Sequence, residues 1–441
     1  MKDNNESSAT LKTSTDLWWA AWSIGAAFGT YFCMYGLRKP FTAASFSDNV
    51  DLNADGWTVT FKVILVTAQT MGYMLSKFIG IKVISEMPPH RRAAVILALC
   101  TAAEVSLLLF AVLPRPWSAV CLFLNGLPLG MVFGLVLGFL EGRRLTELLT
   151  AGLCFSFIFA DGVVKAVGKW LLDHSVSETW MPAAAGGLFL LPLAVGAWML
   201  SLIPPPSTAD QNARAVRDTM TSRERRQLYL NYAFGLTCLV IMYFLVTVVR
   251  SVRSDFAKEI WSAFGTEDVP ALYAWSEMLV GIGSCSTVAA LVLVKNNRTA
   301  YFAALGLCLI GLLTVVGTLT VHSRAAMPAS VFMIAVGLGL YLPYVAVHTT
   351  LFERFLAITR EKGTISFLMY VADAIGYLGY VAVILTPRSW ITGSETTADP
   401  RSFLSYFIIV CWICSVSGLA CTLGAIAYFQ LRIPYHRRST D

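Results

Sequence analysis

Apolar stretches long enough to cross a membrane recur along the whole chain. They run over 17–46, 58–84, 92–113, 117–140, 148–172, 181–203, 228–252, 270–294, 300–321, 327–351, 363–386 and 403–431. A helix crossing the hydrocarbon core needs roughly 20 mostly apolar residues, so the pattern predicts an all-α membrane protein with twelve transmembrane helices. Some runs are longer and predict tilted spans. The Gly and Pro inside several of them are tolerated in membrane helices. One long polar stretch interrupts the pattern, over 204–227; it opens Pro204-Pro205-Pro206 and is rich in Arg. Six apolar runs precede it and six follow. The expected organisation is a tail (1–16), an N-terminal six-helix bundle (17–203), a linker (204–227), a C-terminal six-helix bundle (228–432) and a second tail (433–441).

Composition agrees with this reading. The 441 residues are 56% hydrophobic and only 14% charged, against roughly 45–50% and about 25% in a soluble domain. The first sixteen residues are polar and mixed in charge. They lack the basic start, short apolar core and small-residue cleavage site of a signal peptide, so the N-terminus is expected to stay in place and to be cytoplasmic.

Basic loop residues set the topology. With the N-terminus inside, twenty of the 33 Lys and Arg fall on the cytoplasmic side. Five fall opposite (Arg115, Lys258, Arg324, Arg388 and Arg401), and eight lie in or near helices. This places both termini in the cytoplasm of a plasma (inner) membrane. It also accounts for the net charge of +6 without a nucleic-acid partner; the lipid bilayer is the partner the pattern requires.

Catalytic and metal signatures are missing from the sequence. The ten cysteines all fall inside apolar runs, with no disulfide framework or zinc spacing. Cys411-x-x-Cys414, in an apolar helix, reads as packing. There is no H-E-x-x-H, nucleophile elbow or P-loop, and His90, His174, His322, His348 and His436 are scattered. The expectation is no enzyme, no metal and no cofactor.

The two halves share anchors at one offset. Tyr31-Phe32 precedes Arg38 as Tyr243-Phe244 precedes Arg250, and Glu141 and Glu353 are related by the same 212 residues. Duplication of a six-helix unit, with parallel halves around a site near the midplane, is the plan of the major facilitator superfamily.

Ionisable groups in apolar spans cost at least ~2.5–3.5 kcal/mol each on insertion scales, which makes them functional candidates. The basic set is Arg38, Lys39, Lys62, Lys77, Lys165, Lys169, Arg250 and Arg253; the acidic set is Glu104, Asp161, Glu277 and Asp373. Eight cations against four anions favour an anionic solute. Arg38 and Arg250 are the sharpest positions, because two guanidiniums can grip a phosphate or carboxylate with paired hydrogen bonds. Each lies about 21 residues into its run, so a straight helix would put it at the outer interface, where it could snorkel. The scarcity of basic residues elsewhere on that side favours the functional reading. Asp161 and Lys165, four apart, can pair on one face. They read first as a self-neutralising pair and second as cavity lining or a proton carrier. Glu104, Glu277 and Asp373 are candidates for proton coupling or for ion pairs with the surplus cations, Arg253 among them. Lys39, Lys62 and Lys169 read as interfacial.

Several local motifs resemble the organophosphate:phosphate antiporters of the major facilitator superfamily. Tyr35-Gly36-Leu37-Arg38-Lys39-Pro40-Phe41 is similar to that family's Y-x-x-R-K-x-F, and Tyr73-Met74-Leu75-Ser76-Lys77-Phe78 to its Y-G-x-S-K-F. Arg250 followed by Asp255-Phe256 is similar to R-x-x-x-x-D-W. Glu277 with Gly281 and Gly283, and Lys362-Gly363-Thr364 with Gly376-Tyr377-Leu378-Gly379, are weaker matches. The resemblance implies that Arg38 and Arg250 bind a phosphate moiety, with Lys77 in the substrate pathway. Departures mark a divergent relative. Asp161 and Lys165 stand where the family favours a less charged, His-containing helix, Arg253 adds a cation, and Ile84-Ser85-Glu86-Met87 replaces the usual acidic-Arg loop.

The expected function is secondary active transport of a small organic anion, one carrying a phosphate, by alternating access. The solute would be bound by Arg38, Arg250 and Lys77, with Tyr31, Tyr35 and Tyr243 shaping the pocket. Coupling is either exchange against phosphate or proton symport. The alternative is a transporter-like receptor for a phosphorylated ligand. A monomer is expected.

Overall fold

The computed structural model of the chain describes residues 3–46, 49–51, 58–85, 87–140, 143, 146–205, 222–266, 270–325, 327–359, 365–386 and 400–432. The predicted 204–227 linker, the 433–441 tail, Glu141 of the repeat and the Lys362-Gly363-Thr364 motif lie largely or wholly outside the described residues.

Long helices form where the apolar runs predict them. In chain order they are α1 (Asp3–Gly36), α2 (Phe61–Ser85), α3 (Pro89–Val112), α4 (Trp117–Leu140), α5 (Thr146–Asp173), α6 (Met181–Ser201), the short α7 (Ser222–Asn231), α8 (Ala233–Asp255), the short α9 (Ala257–Ala263), α10 (Pro270–Ala289), α11 (Asn297–Arg324), α12 (Ala329–Ala346), α13 (Phe352–Thr359), α14 (Ile365–Leu385) and α15 (Pro400–Arg432). Among the described residues, ten helical segments are long and apolar enough to cross a membrane. The two other long helices are α1 and α14. Large apolar side chains stand exposed on these helices, including Val112, Leu191, Trp198 and Leu293, as hydrocarbon-facing surfaces require. Exposed tryptophans gather near helix ends, at Trp117, Trp170, Trp180 and Trp198, where amphipathic rings match the membrane–water interface.

Local chemistry fixes several boundaries. Asn296 caps α11 by accepting from Arg298 N (2.9 Å) and Thr299 N (3.2 Å), which satisfies donors left open at a helix start. The first apolar run does not continue as one helix. Proline has no N–H to donate and its ring clashes with the carbonyl four residues back, here that of Gly36, so α1 stops at Gly36 and Pro40 opens a 3-10 turn, Pro40–Ala43. Arg38 and Lys39 fall in this break. The tenth run departs differently: α12 passes through a π-helical turn, Val347–Leu351, before continuing as α13.

The chain forms two compact units, Met1–Phe46 with Ile64–Val216, and Ser47–Val63 with Arg217–Asp441. Residues 47–63, expected in the N-terminal bundle, therefore belong with the second unit. Two short strands there, Asn49–Asp51 and Thr58–Thr60, pair antiparallel. The Lys62 ammonium lies 2.6 Å from Glu259 and faces the Phe256 ring.

Within each unit, glycines let helices approach closely. In the first unit, a Cβ on Gly72 would overlap the carbonyl oxygen of Phe123, and one on Gly126 that of Gln69, so α2 and α4 touch backbone to backbone. In the second, Gly311 of α11 and Gly339 of α12 face each other's carbonyls. Such contacts replace the hydrophobic drive that lipid does not supply between helices.

Candidate functional site

In the first unit the break after α1 determines where Arg38 points. The end of a helix leaves carbonyls without partners, and here two buried amides take them up. Gln69 Nε2 donates to Arg38 O (2.8 Å) and to Asn125 Oδ1 (2.8 Å). Asn125 Nδ2 donates to Leu37 O (3.1 Å) and Ala103 O (3.1 Å). With its backbone held this way, Arg38 is 5% exposed, and its guanidinium carbon sits 3.7 Å from the centre of the Tyr73 ring and 5.6 Å from that of Tyr35. It is a buried cation on aromatic rings rather than a solvent-facing side chain on a straight helix.

Lys77 joins the same cluster. Its ammonium lies 5.2 Å from the Tyr73 ring centre and 5.6 Å from that of Phe133. The Tyr31 hydroxyl is 3.4 Å from that of Tyr73, and the Tyr31 ring packs on Tyr35 and Phe133. Tyr73 thus carries both cations. The ring quadrupole attracts them by about 0.5–2 kcal/mol each, depending on desolvation.

The second unit repeats the theme with different parts. Arg250 lies near the end of α8, 7% exposed, with its guanidinium carbon 4.3 Å from the Tyr344 ring centre and 5.9 Å from that of Tyr341. Tyr344 stacks on Tyr243 (centroids 5.4 Å) and on His348 (4.4 Å). The Tyr243 hydroxyl donates to Asp373 Oδ1.

The remaining charged candidates sort into pairs. Lys165 and Asp161 close at 2.5 Å, both buried. Arg253 meets Glu277 at 2.8 Å and also donates to Met333 O from Nε (3.2 Å) and Nη2 (2.9 Å). Among the described residues, Glu104 makes no ion pair or hydrogen bond, although it is buried; its carboxyl abuts Gly186 of α6. Lys39 and Lys62, read as interfacial, are both buried within the protein, and Lys62 is held by Glu259. Lys169, partly exposed, pairs with Asp173 at 2.5 Å.

Sequence reasoning missed Gln69, Asn125, Tyr341, Tyr344 and His348, and gave Tyr73 no role. A histidine inside an apolar run, four residues after a tyrosine, was the available signal for His348. No group of three or more His, Cys, Asp or Glu among the described residues forms a candidate metal site.

Residues 40–432 match the model of a family described as "Family of unknown function (DUF5690)". The chain belongs to that family. Among curated proteins, none matches it in sequence. Solved structures do match this DUF5690 protein. A D-xylose-proton symporter superposes with a TM-score of 0.60 at 13% identity, covering 94% of this chain and 98% of the other. A bacterial homologue of the human drug peptide transporters PepT1 and PepT2 superposes with a TM-score of 0.56 at 12% identity, covering 94% and 99%. The DUF5690 chain is an all-α, multi-pass membrane protein with the major facilitator fold. At these identities the likeness is one of fold, and it does not reach the organophosphate resemblance of the local motifs.

Proposed function

We propose that this protein is a secondary active transporter of a small organic anion carrying a phosphate or a similarly compact anionic group. The observation that carries the reading is the arginine at each end of the 212-residue offset. Arg38 and Arg250 are both buried and both rest on tyrosine rings. Planar guanidinium forks suit phosphate and carboxylate. Lys77 adds a point charge beside Arg38. Tyr31, Tyr35 and Tyr243 shape the surroundings.

The fold shared with a proton symporter and a peptide transporter homologue supports carriage by alternating access. The chain acts without catalysis, cofactor or nucleic acid, as a monomer. The basic bias of the loops supports cytoplasmic termini, and a plasma (inner) membrane is the proposed location.

The test is thermal stabilisation of the purified protein by phosphate esters, phosphonates and carboxylates, beside Arg38→Ala and Arg250→Ala. A ligand at 100 times its Kd stabilises by about 2.7 kcal/mol. The expected result is that one anion class shifts the wild type and neither variant. Equal shifts in the variants would overturn the site. Counterflow of the same anion in proteoliposomes separates a carrier from a receptor, which would bind without exchange.

A further inference from the structure

We propose that His348, Asp373 and Tyr243 form a proton-binding site in the second unit, and that it couples anion movement to protons. The inference deepens the transport reading above and rests on it for the coupling, though not for the proton site itself.

The geometry around His348 sets its tautomer. Nδ1 lies 2.9 Å from the carbonyl oxygen of Tyr344. A carbonyl only accepts, so Nδ1 carries hydrogen, and in the neutral ring Nε2 is the bare lone pair. That lone pair faces acceptors. Asp373 Oδ1 is 3.7 Å away and the Tyr243 hydroxyl oxygen 3.4 Å, while the hydroxyl hydrogen is committed to Asp373. A lone pair opposite a carboxylate in a buried site is unfavourable. One added proton makes Nε2 a cation facing the Asp373 carboxylate at 3.7 Å, an ion pair in place of a repulsion. The proton arrives at Nε2, no bond other than N–H forms, and Tyr243 keeps its donation to Asp373.

Two further observations single out this cluster. His348 lies in the π-helical turn Val347–Leu351, all of it buried; such insertions in a helix are enriched at functional sites. And the repeat supplies an internal comparison. Asp373 and Asp161 are themselves 212 residues apart, but Asp161 is closed by Lys165, on its own helix. Asp373 instead faces a histidine, the one side chain whose ordinary titration falls in the physiological range. The aspartate of the second unit thus has the titratable partner.

Coupling follows from the neighbours. His348 and Arg250 both pack on the Tyr344 ring. Tyr341 lies beside them on α12, and Tyr377 lies within electrostatic reach of Tyr243 on α14. On α14 as well, Tyr380 donates to Asp255 (2.7 Å). A positive charge gained at His348 favours an anion at Arg250, and by linkage the anion favours the proton. The expected mode is symport of anion and proton.

The experiment has a ligand-free arm and a transport arm, both with the full chain. In weakly buffered detergent, difference titration between pH 5 and 8.5 should show the wild type taking up one proton more than His348→Gln, with Asp373→Asn as a second variant should the first misfold. Superimposable curves would overturn the proton site, whatever the solute is. In proteoliposomes, uptake of radiolabelled inorganic phosphate is compared with and without an inward proton gradient. The gradient should raise wild-type uptake at least tenfold, and that ratio should fall to about one in both variants. Phosphate uptake indifferent to the gradient would overturn the coupling while leaving the anion reading intact. A one-proton difference with no phosphate uptake would support the proton site and count against the anion reading.

Discussion

Arg253 Nη1 lies 2.8 Å from Glu277 Oε1, with both side chains almost wholly buried inside the second unit. Such a pair holds itself in balance, because each charge offsets the desolvation of the other. Glu277→Ala should therefore destabilise by about 3–5 kcal/mol, while replacing both partners with apolar residues should cost much less. Thermal melts of the two single variants and the double variant decide this. If the losses of the single variants simply add, the pair is not the structural ion pair described here, and Glu277 returns to the coupling candidates.

Glu104 behaves differently. Its carboxyl fills the space in front of Gly186, where an added Cβ would overlap Oε2. Gly186→Ala should cost about 1–3 kcal/mol through overpacking. The same change in a Glu104→Ala background should cost less, since the clashing carboxyl is gone and only Leu37 Cδ2, 3.0 Å from an added Cβ, stays tight. A double-mutant cycle measured by unfolding gives the coupling directly. A coupling near zero would mean that α3 and α6 do not meet at this point.

What the sequence revealed depended on how far each interaction reaches along the chain. The spans were legible because hydrophobicity over 20 residues is a local signal, and the Asp161–Lys165 pair was legible because four residues separate its members on one helix. The partner of Glu277 was not, since Arg253 comes from another helix. The burial of Lys62 was hidden for the same reason: Glu259 lies far away in sequence. The straight-helix alternative for Arg38 was left open because the break before Pro40 does not show in the apolar pattern. His348 was passed over because nothing local marks a π-helical turn or a carboxylate brought in from α14. The two-arginine correspondence was legible from internal repetition, although the tyrosines beneath the arginines were only partly so.

Lys62 and Glu259 offer a contrast with the deeper pairs. Lys62 is buried, whereas the Glu259 side chain remains about a quarter exposed, at 26%. Removing the carboxylate takes a charged partner from a buried ammonium, but removing the ammonium leaves a carboxylate that water still reaches. Glu259→Gln should thus destabilise more than Lys62→Met, by about 1–3 kcal/mol, as read from melts at low ionic strength. Equal losses, or the opposite order, would argue that the Lys62 stem on Phe256 matters more than the charge.

The Tyr73 ring supports two cations at once, Arg38 at 3.7 Å and Lys77 at 5.2 Å, and that makes it a sharper probe of the first-unit site than either cation. Tyr73→Phe keeps the aromatic face and loses only the hydroxyl near Tyr31. Tyr73→Leu keeps apolar bulk and loses the face. If the ring holds the two charges in place for an anion, losing it removes about 0.5–2 kcal/mol of support per cation. Phosphate-dependent stabilisation should then survive in Tyr73→Phe within a fewfold change in apparent Kd, and weaken more than tenfold in Tyr73→Leu. The order matters more than the size. A hydroxyl-dominated site would fail in Tyr73→Phe first, and a site where Tyr73 merely fills space would tolerate both. Only the first pattern, loss with the ring and not with the hydroxyl, fits an anion held by cations that rest on an aromatic surface.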